Sequence, residues 1–218
     1  MNIPVLTIDG PSGAGKGTVS RLVAKKLGWN YLDSGSIYRS LAVALLKQSV
    51  DLANTEEIVK VAQAITLEFH CGDELAVRLN GEDITDHLGL ESTGNIASIV
   101  AALPEVRAVL LQKQKDFKQQ PGLVADGRDM GTVVFPEAEN KVFLTASAAK
   151  RAERRYKQLI EKGIDANLSR LTKEIEERDR RDMERTTAPL AMANGALFID
   201  SSEMTIDAVI EEVLNLVR

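Results

Sequence analysis

Cysteine, histidine, aromatic residues and positive charge are all scarce in this 218-residue chain, and each shortage narrows what it can be. The single cysteine, Cys71, excludes an internal disulfide and suits a reducing compartment, where it reads as a small apolar filler. His70 and His87 are the only histidines, and with no cysteine pair beside them a structural zinc site is not expected. No apolar run reaches the length of about 18 residues that a membrane span needs. No basic segment precedes the first short apolar run, so neither a leader nor an anchor is expected and the cytoplasm is. Repeats, Pro/Ser-rich linkers and low-complexity tracts are missing too.

Positive charge is in deficit, with a net charge of −5, which argues against a nucleic-acid polymer as partner. The deficit is uneven. Residues 150–185 hold 12 Lys/Arg against 9 Asp/Glu, leaving −8 on the remainder. A locally basic stretch in an acidic chain points to a small anionic ligand. Hydrophobic residues at 44% suffice for one domain of ordinary size, or a core with an inserted lobe.

What is abundant is glycine in one place. Gly10-Pro11-Ser12-Gly13-Ala14-Gly15-Lys16-Gly17-Thr18 follows an apolar run, Ile3–Ile8, and leads into a helical pattern over about 16–28 with Leu22, Val23 and Leu27 on one face. Strand, glycine loop and helix are the context of a phosphate-binding P-loop. The glycines let several backbone N–H groups converge on one anion, and the helix N-terminus adds its dipole. Lys16 then reaches the β- and γ-phosphates of a nucleoside triphosphate, as an exposed loop lysine contributing little to the core. The residue after the lysine is Gly17 rather than the Ser or Thr that holds Mg²⁺ in most such loops. Water-mediated contact, or the hydroxyl of Thr18 one step later, is therefore expected. Gly-Lys-Gly-Thr resembles the loop ending of nucleoside monophosphate kinases.

Apolar runs of strand length alternate with helical stretches: Ile3–Ile8, Trp29–Leu32, Gly122–Ala125, Lys141–Leu144 and Ala196–Ile199, with a helix from Ser34 to about Lys47 capped by Ser34 itself. This predicts an α/β fold with a parallel central sheet and helices on both faces. The middle departs from it. Thr66–His70 and Leu75–Leu79 alternate apolar and polar, and Asn80-Gly81 suits a tight hairpin turn. A small antiparallel lobe at about 66–86, returning through Glu82–Thr85, is expected as an insertion. Helices near 90–102 and 105–118 follow, the second opening on Pro104 and Glu105. Charged helices over Lys150–Glu161 and Ser169–Glu184, separated at Gly163, suit a helical lid. Asp126 ends the run Leu123–Ala125, where P-loop proteins place a carboxylate that orders Mg²⁺ and its waters; Asp9, ending the first run, competes for that role or braces the loop.

Four segments together carry a closer likeness: Gly10–Thr18, Asp33-Ser34-Gly35-Ser36-Ile37-Tyr38-Arg39, Asp126-Gly127-Arg128-Asp129-Met130-Gly131-Thr132 and Arg178-Asp179-Arg180-Arg181-Asp182. They resemble the bacterial cytidylate kinase family over residues 3 to about 190. The resemblance implies a three-layer P-loop kinase with a core of about 1–48, 119–149 and 187–218, an acceptor-binding insertion of about 60–118 and a lid of about 150–186. It implies transfer of the γ-phosphoryl group of ATP to CMP and dCMP with Mg²⁺, in a monomer. Ser34, Arg39 and Arg128 would hold the CMP phosphate; Ser98, Arg107, Asp129 and Arg185 would read cytosine; Arg178 and Asp182 would meet the sugar. Lys16, Arg128 and Arg178 would be the catalytic cations, Arg154 would join the loop on ATP, and Thr18 and Asp126 would serve the metal through water.

A carboxylate beside an arginine complements cytosine, whose N4 amine lies next to acceptors at N3 and O2. Plainer readings stand beside these roles: Arg39 as a solvated charge, Arg128 and Asp129 as a loop ion pair, Arg107 in a surface pair with Glu105 or Asp116, and Ser98 as an exposed helix serine. Two other functions also fit a P-loop. One is a kinase for another small acceptor, such as UMP. The other is a switch that binds ATP without turning it over.

Overall fold

The structure is a computed structural model that describes residues 3–71, 75–161 and 163–217. Residues 72–74 of the expected inserted lobe lie outside the described residues, as does the side chain of Cys71, on which its reading as an apolar filler depends. The chain forms two compact units, Met1–Leu32 with Lys118–Arg218, and Asp33–Phe117.

The first unit is built on a five-stranded sheet in the order β2-β6-β1-β7-β8. Its strands are β1 (Val5–Asp9), β2 (Asn30–Asp33), β6 (Leu123–Gly127), β7 (Asn140–Thr145) and β8 (Leu197–Asp200). The strands β6, β1, β7 and β8 run parallel, with Val5 opposite Leu123, Leu6 opposite Asn140 and Val142 opposite Leu197. Every residue of β1 and β6 is buried, as strands in the middle of a parallel sheet should be, although each ends on or near an aspartate, Asp9 and Asp126. Helix α1 (Lys16–Leu27) packs on β6 and on α9 (Ile206–Val217), which also meets β7. A single π-helical turn, Met130–Val134, lies against β1 and β6. Helices α7 (Ala148–Glu161) and α8 (Leu168–Glu184) pack on each other. Between them Gly163 takes φ +72°, the left-handed conformation that stops α7.

The second unit begins with α2 (Ser34–Lys47), whose run Ile37, Leu41, Ala42, Val43, Ala44 and Leu45 is buried. Its cap is not Ser34 but Asp33, whose carboxylate accepts from the Ser36 amide at 3.0 Å. A side chain one residue earlier reaches the orphan amide of the first turn, which leaves Ser34 as the first helical residue. The sequence assigns residues 34–48 to the core, but α2 packs with α3 (Thr55–Ala64), α4 (Thr85–Leu88) and α5 (Glu91–Val100). Its apolar surface covers most of the helix, so it is enclosed by these helices rather than laid along one face. Helix α6 (Pro104–Lys115) opens on the expected proline.

The antiparallel sheet is β3 (Leu67–Cys71), β4 (Leu75–Leu79) and β5 (Glu82–Asp83), with Leu67 opposite Leu79. Asn80 and Gly81 take φ +52° and +82°, the two positive angles that join strands without splaying them. The Asn80 side chain also accepts from the Thr66 amide at 2.8 Å. The return strand is shorter than the expected Glu82–Thr85. Thr85 turns its hydroxyl to Asp83 and to the Val77 amide and starts α4 instead.

Candidate active site

The loop Gly10–Thr18 is shaped by carbonyl anchors as much as by glycines. At Gly10 (φ +153°) a Cβ would lie 1.9 Å from the Leu144 carbonyl oxygen, so no side chain fits where β1 gives way to the loop. Lys16 Nζ donates to the Pro11 carbonyl at 2.8 Å, Arg151 Nη1 to that of Ser12 at 2.9 Å, and Arg154 Nη1 to that of Ala14 at 3.4 Å. A trans peptide points its N–H opposite to its C=O. Fixing those three carbonyls therefore turns the amides of Ser12, Gly13 and Gly15 the other way, beside the N-terminus of α1. Amides left unengaged by carbonyl anchoring, next to a helix N-terminus, are the donors an anion requires. Lys16 is buried, which corrects the expectation of an exposed loop lysine: its stem runs under its own loop.

Three arginines of α7 and α8 meet this loop. Arg151, 4% exposed, forms a two-pronged ion pair with Asp179 of α8 and donates to the Ala146 carbonyl at 2.8 Å. Arg178 Nη1 donates to Ser12 Oγ at 3.2 Å. Arg154 also donates to the Ser201 carbonyl at 2.6 Å, tying α7 to the segment after β8. These arginines are thus structural partners of the loop as well as cations near it.

The end of β6 and the segment that follows it carry further candidate residues of this unit. Asp126 is buried and accepts from the Tyr31 hydroxyl at 2.6 Å. It lies next to the loop: a Cβ on Gly17 would come within 3.9 Å of Asp126 Oδ2. Arg128 Nε donates to Asp182 Oδ2 at 2.9 Å, and Arg185 Nη2 stands 3.8 Å from Asp129 Oδ1. Burial opposes ionisation of Asp182, yet Arg128, Arg178 and Arg185 hold its carboxyl below the usual carboxylate range. Burial likewise opposes the charge of Arg128, but Asp182, with Asp126 and Asp179, more than offsets it, so its pKa is raised. Asp9 accepts from the Met130 and Gly131 amides at 2.8 and 2.7 Å. Burial pushes the Asp9 carboxyl up to about 6; the two amides and Lys16 pull it down, and Asp129 adds to the rise.

The other candidates belong to the second unit. Ser34 is buried and its hydroxyl donates to Gln114 Oε1 at 2.8 Å. Arg39 donates to the Leu88 carbonyl. Arg107 is buried, donates to the Ala101 carbonyl at 3.2 Å, and places its guanidinium 5.7 Å from the centre of the Tyr38 ring. A stack of this kind stabilises a guanidinium by about 0.5–2 kcal/mol. It joins Arg107 to the helix that carries Arg39. Ser98 is buried on α5, which packs on α2, so it is not the exposed serine that a helical position suggests.

The candidate residues fall into two sets. The loop, Arg128, Asp129, Arg154, Arg178, Asp182 and Arg185 are interlinked in the first unit, and Ser34, Arg39, Ser98 and Arg107 lie in the second. Sequence reasoning singles out Arg151 beside Arg154 and Arg155 as arginines of which one or two would touch ATP, but gives no role to Asp179, Tyr31 or Gln114 and does not pair Arg151 with Asp179. Nothing in local spacing ties position 151 to 179, or 34 to 114. Among the described residues no group of three or more His, Cys, Asp or Glu could cage a metal. The buried Asp126 carboxylate beside Gly17, an oxygen donor, suits Mg²⁺, which keeps several waters and takes the rest of its shell from phosphates. Among the described residues no single helix is long and apolar enough to cross a membrane.

Comparison with known proteins agrees on one family. A family model described as cytidylate kinase matches residues 6–218. The cytidylate kinase of Methylococcus capsulatus is 56% identical over 216 residues, spanning 99% of this chain and 97% of that protein. That of Aeromonas salmonicida is 55% identical over 212 residues, spanning 97% and 92%. Among solved structures, an uncharacterized protein from Eubacterium ventriosum superposes with a TM-score of 0.50 at 12% identity, covering 97% of this chain and 96% of that one, a likeness of fold alone.

Proposed function

Because this chain belongs to the cytidylate kinase family, it is an ATP-dependent nucleoside monophosphate kinase, and we propose how its residues divide the transfer of a phosphoryl group to CMP and dCMP. The observation that carries the reading is the anchored loop. Three carbonyls are tied back, so that the amides of Ser12, Gly13 and Gly15 each face away from those anchors, in one unit with the pairs Arg128–Asp182 and Arg185–Asp129.

The amides of Ser12, Gly13 and Gly15 hold the β-phosphate of ATP, and Lys16 exchanges the Pro11 carbonyl for the β,γ-oxygens. The attacking oxygen of CMP is already ionised, so no general base is required. Bringing two polyanions together is the main obstacle, and it is met by positive charge at fixed positions. Arg128 and Arg178 supply that charge at the transferring group, each already oriented, by Asp182 and by Ser12. Asp126 and Thr18 would hold Mg²⁺ through its waters, and the ion would neutralise charge on the triphosphate.

Asp129, with Arg185 behind it, accepts from the cytosine amine, and Arg107 and Ser98 read the neighbouring acceptors. Ser34, Arg39 and Arg128 grip the CMP phosphate, and Arg178 and Asp182 meet the sugar. A base that leaves such buried groups unpaired is rejected strongly. Residues of about 60–118 form the acceptor insertion and about 150–186 the lid, with Arg154 on the ATP side. The enzyme works as a cytoplasmic monomer.

Asp129→Ala tests the base assignment. KM for CMP should rise about 10–100-fold, from loss of a charge-assisted hydrogen bond, while KM for ATP stays within about twofold. Steady-state assay with each nucleotide varied in turn decides it. Equal loss toward both nucleotides would instead mean a collapsed loop and would sink the recognition role.

A further inference from the structure

We propose that Asp9 is a positioning residue for the acceptor: its carboxylate fastens the segment carrying Arg128 and Asp129 to the end of β1, where the phosphate loop begins. The proposal rests on the assignment of Arg128 and Asp129 to CMP. Its geometry is specific. Both carboxylate oxygens are used, Oδ1 by the Met130 amide at 2.8 Å and Oδ2 by the Gly131 amide at 2.7 Å. These amides immediately follow Arg128-Asp129 in the chain and open the π-helical turn that packs on β1 and β6. Gly10, the first residue of the loop, immediately follows Asp9. One side chain, 2% exposed, therefore ties together two segments more than a hundred residues apart.

Only an aspartate meets this requirement. Both partners are donors, so an asparagine could satisfy one amide and would turn its own N–H₂ toward the other. The approach is also close: a Cβ on Gly131 would come within 2.9 Å of Thr7 Oγ1, 3.2 Å of Ala193 Cβ and 3.3 Å of Asp9 Oδ2. The charged groups acting on Asp9 are Asp129, which disfavours its ionisation, and Lys16, which favours it. Burial outweighs both amides and Lys16 and lifts the carboxyl to about 6. An ionised carboxylate kept in so unfavourable a place at neutral pH is what a positioning role requires, since the protonated form holds the two amides less strongly.

The test compares Asp9→Asn with Asp129→Ala and the wild-type enzyme. Loss of one charge-assisted bond should raise KM for CMP about tenfold in Asp9→Asn, with KM for ATP within about twofold. The advantage of wild type over Asp9→Asn should shrink below about pH 6; titration of the CMP phosphate is common to both enzymes and cancels. Gly131→Ala, which pushes the same segment away while leaving Asp9 intact, should reproduce the rise in KM for CMP. Amide exchange in the wild-type protein needs no variant: after correction for intrinsic rates, protection of the Met130 and Gly131 amides should fall as pH drops through about 6. An unchanged KM for CMP in Asp9→Asn, equal loss toward both nucleotides, or pH-independent protection of those amides would each overturn the proposal. If Asp129→Ala leaves KM for CMP unchanged, the base assignment fails and this proposal with it. If Asp129→Ala raises it and Asp9→Asn does not, the positioning role alone fails.

Discussion

The hairpin at Leu67–Asp83 and the phosphate loop at Gly10–Thr18 both depend on residues with positive φ, yet they are held in opposite ways. In the hairpin the decisive residues are neighbours: Asn80 and Gly81 make the turn, and Asn80 closes it onto Thr66 across one strand pair. In the loop the decisive partners arrive from far away, Arg151 and Arg154 from α7, Arg178 from α8 and Leu144 from β7. A local device can be read and altered in isolation. A device assembled from distant segments fails when any of them moves.

The largest expected effect follows from that difference. Arg151→Ala would leave Asp179 buried without the guanidinium that grips it and would release the Ser12 carbonyl. Removing one partner of a buried ion pair commonly costs 3–5 kcal/mol, so thermal or denaturant unfolding should show a loss of about that size. A loss below about 1 kcal/mol would mean that α7 and the loop do not depend on each other. Next comes Lys16→Met, which keeps the buried stem and removes the charge. Turnover should drop about 10²–10³-fold, or about 3–4 kcal/mol in the barrier. Retention of more than about a tenth of wild-type turnover would remove Lys16 from the mechanism.

The Asp9 carboxyl gives an effect of similar size and distinctive sign. Its folded-state value of about 6 lies above the ordinary 3.8, so between those limits the folded protein holds more protons than the unfolded chain. Its ionisation therefore costs about 3 kcal/mol at neutral pH, and that cost is relieved as pH falls from about 7 toward 4. Wild-type stability relative to Asp9→Asn should rise over this range, with contributions such as that of Asp182 cancelling in the difference. A pH-independent difference would show that the Asp9 carboxyl titrates in the folded protein as it does in the unfolded chain, so that burial does not oppose its ionisation.

The smallest effect belongs to the hairpin. Gly81→Ala forces a side chain into φ +82° and should destabilise by about 1–2 kcal/mol. KM for ATP should stay unchanged, because no residue of the loop depends on this turn. A change in KM for ATP would erase the distinction between the two regions.

What could be read in the sequence follows the same division. The glycine spacing, the alternation of β3 and β4 and the Asn-Gly turn are local, and the structure has them nearly where expected. Helix α3 also carried a local signal that went unused: Asn54 accepts from the Glu57 amide at 3.2 Å, and Glu57 returns to the Asn54 side chain. Helix α9 repeats apolar residues at Ile206, Val209, Ile210 and Val213, a period of ordinary amphipathic helices that was equally readable. The anchors were a different matter. The pairing of Arg151 with Asp179, or of Asp9 with the amides of Met130 and Gly131, depends on how β1, β6, α7 and α8 come together. Spacing along a single chain does not record that. The burial of Lys16 has a nearer cause: its Nζ reaches back to the Pro11 carbonyl of its own loop, a contact set by the path of the loop and not by residue spacing.

The strands at the two margins of the parallel sheet, β2 and β8, are only four residues each. Phe198 on β8 is 55% exposed, with its ring stacked 6.3 Å from that of Phe143. A long apolar margin with unpaired backbone groups would invite a second chain to add a strand and begin aggregation. Here that invitation is brief. Asp200 closes β8 and its carboxylate accepts from the amide and hydroxyl of Ser202, bending the chain away. Brevity at the margins lets the sheet keep an aromatic on its rim without offering a template for self-association.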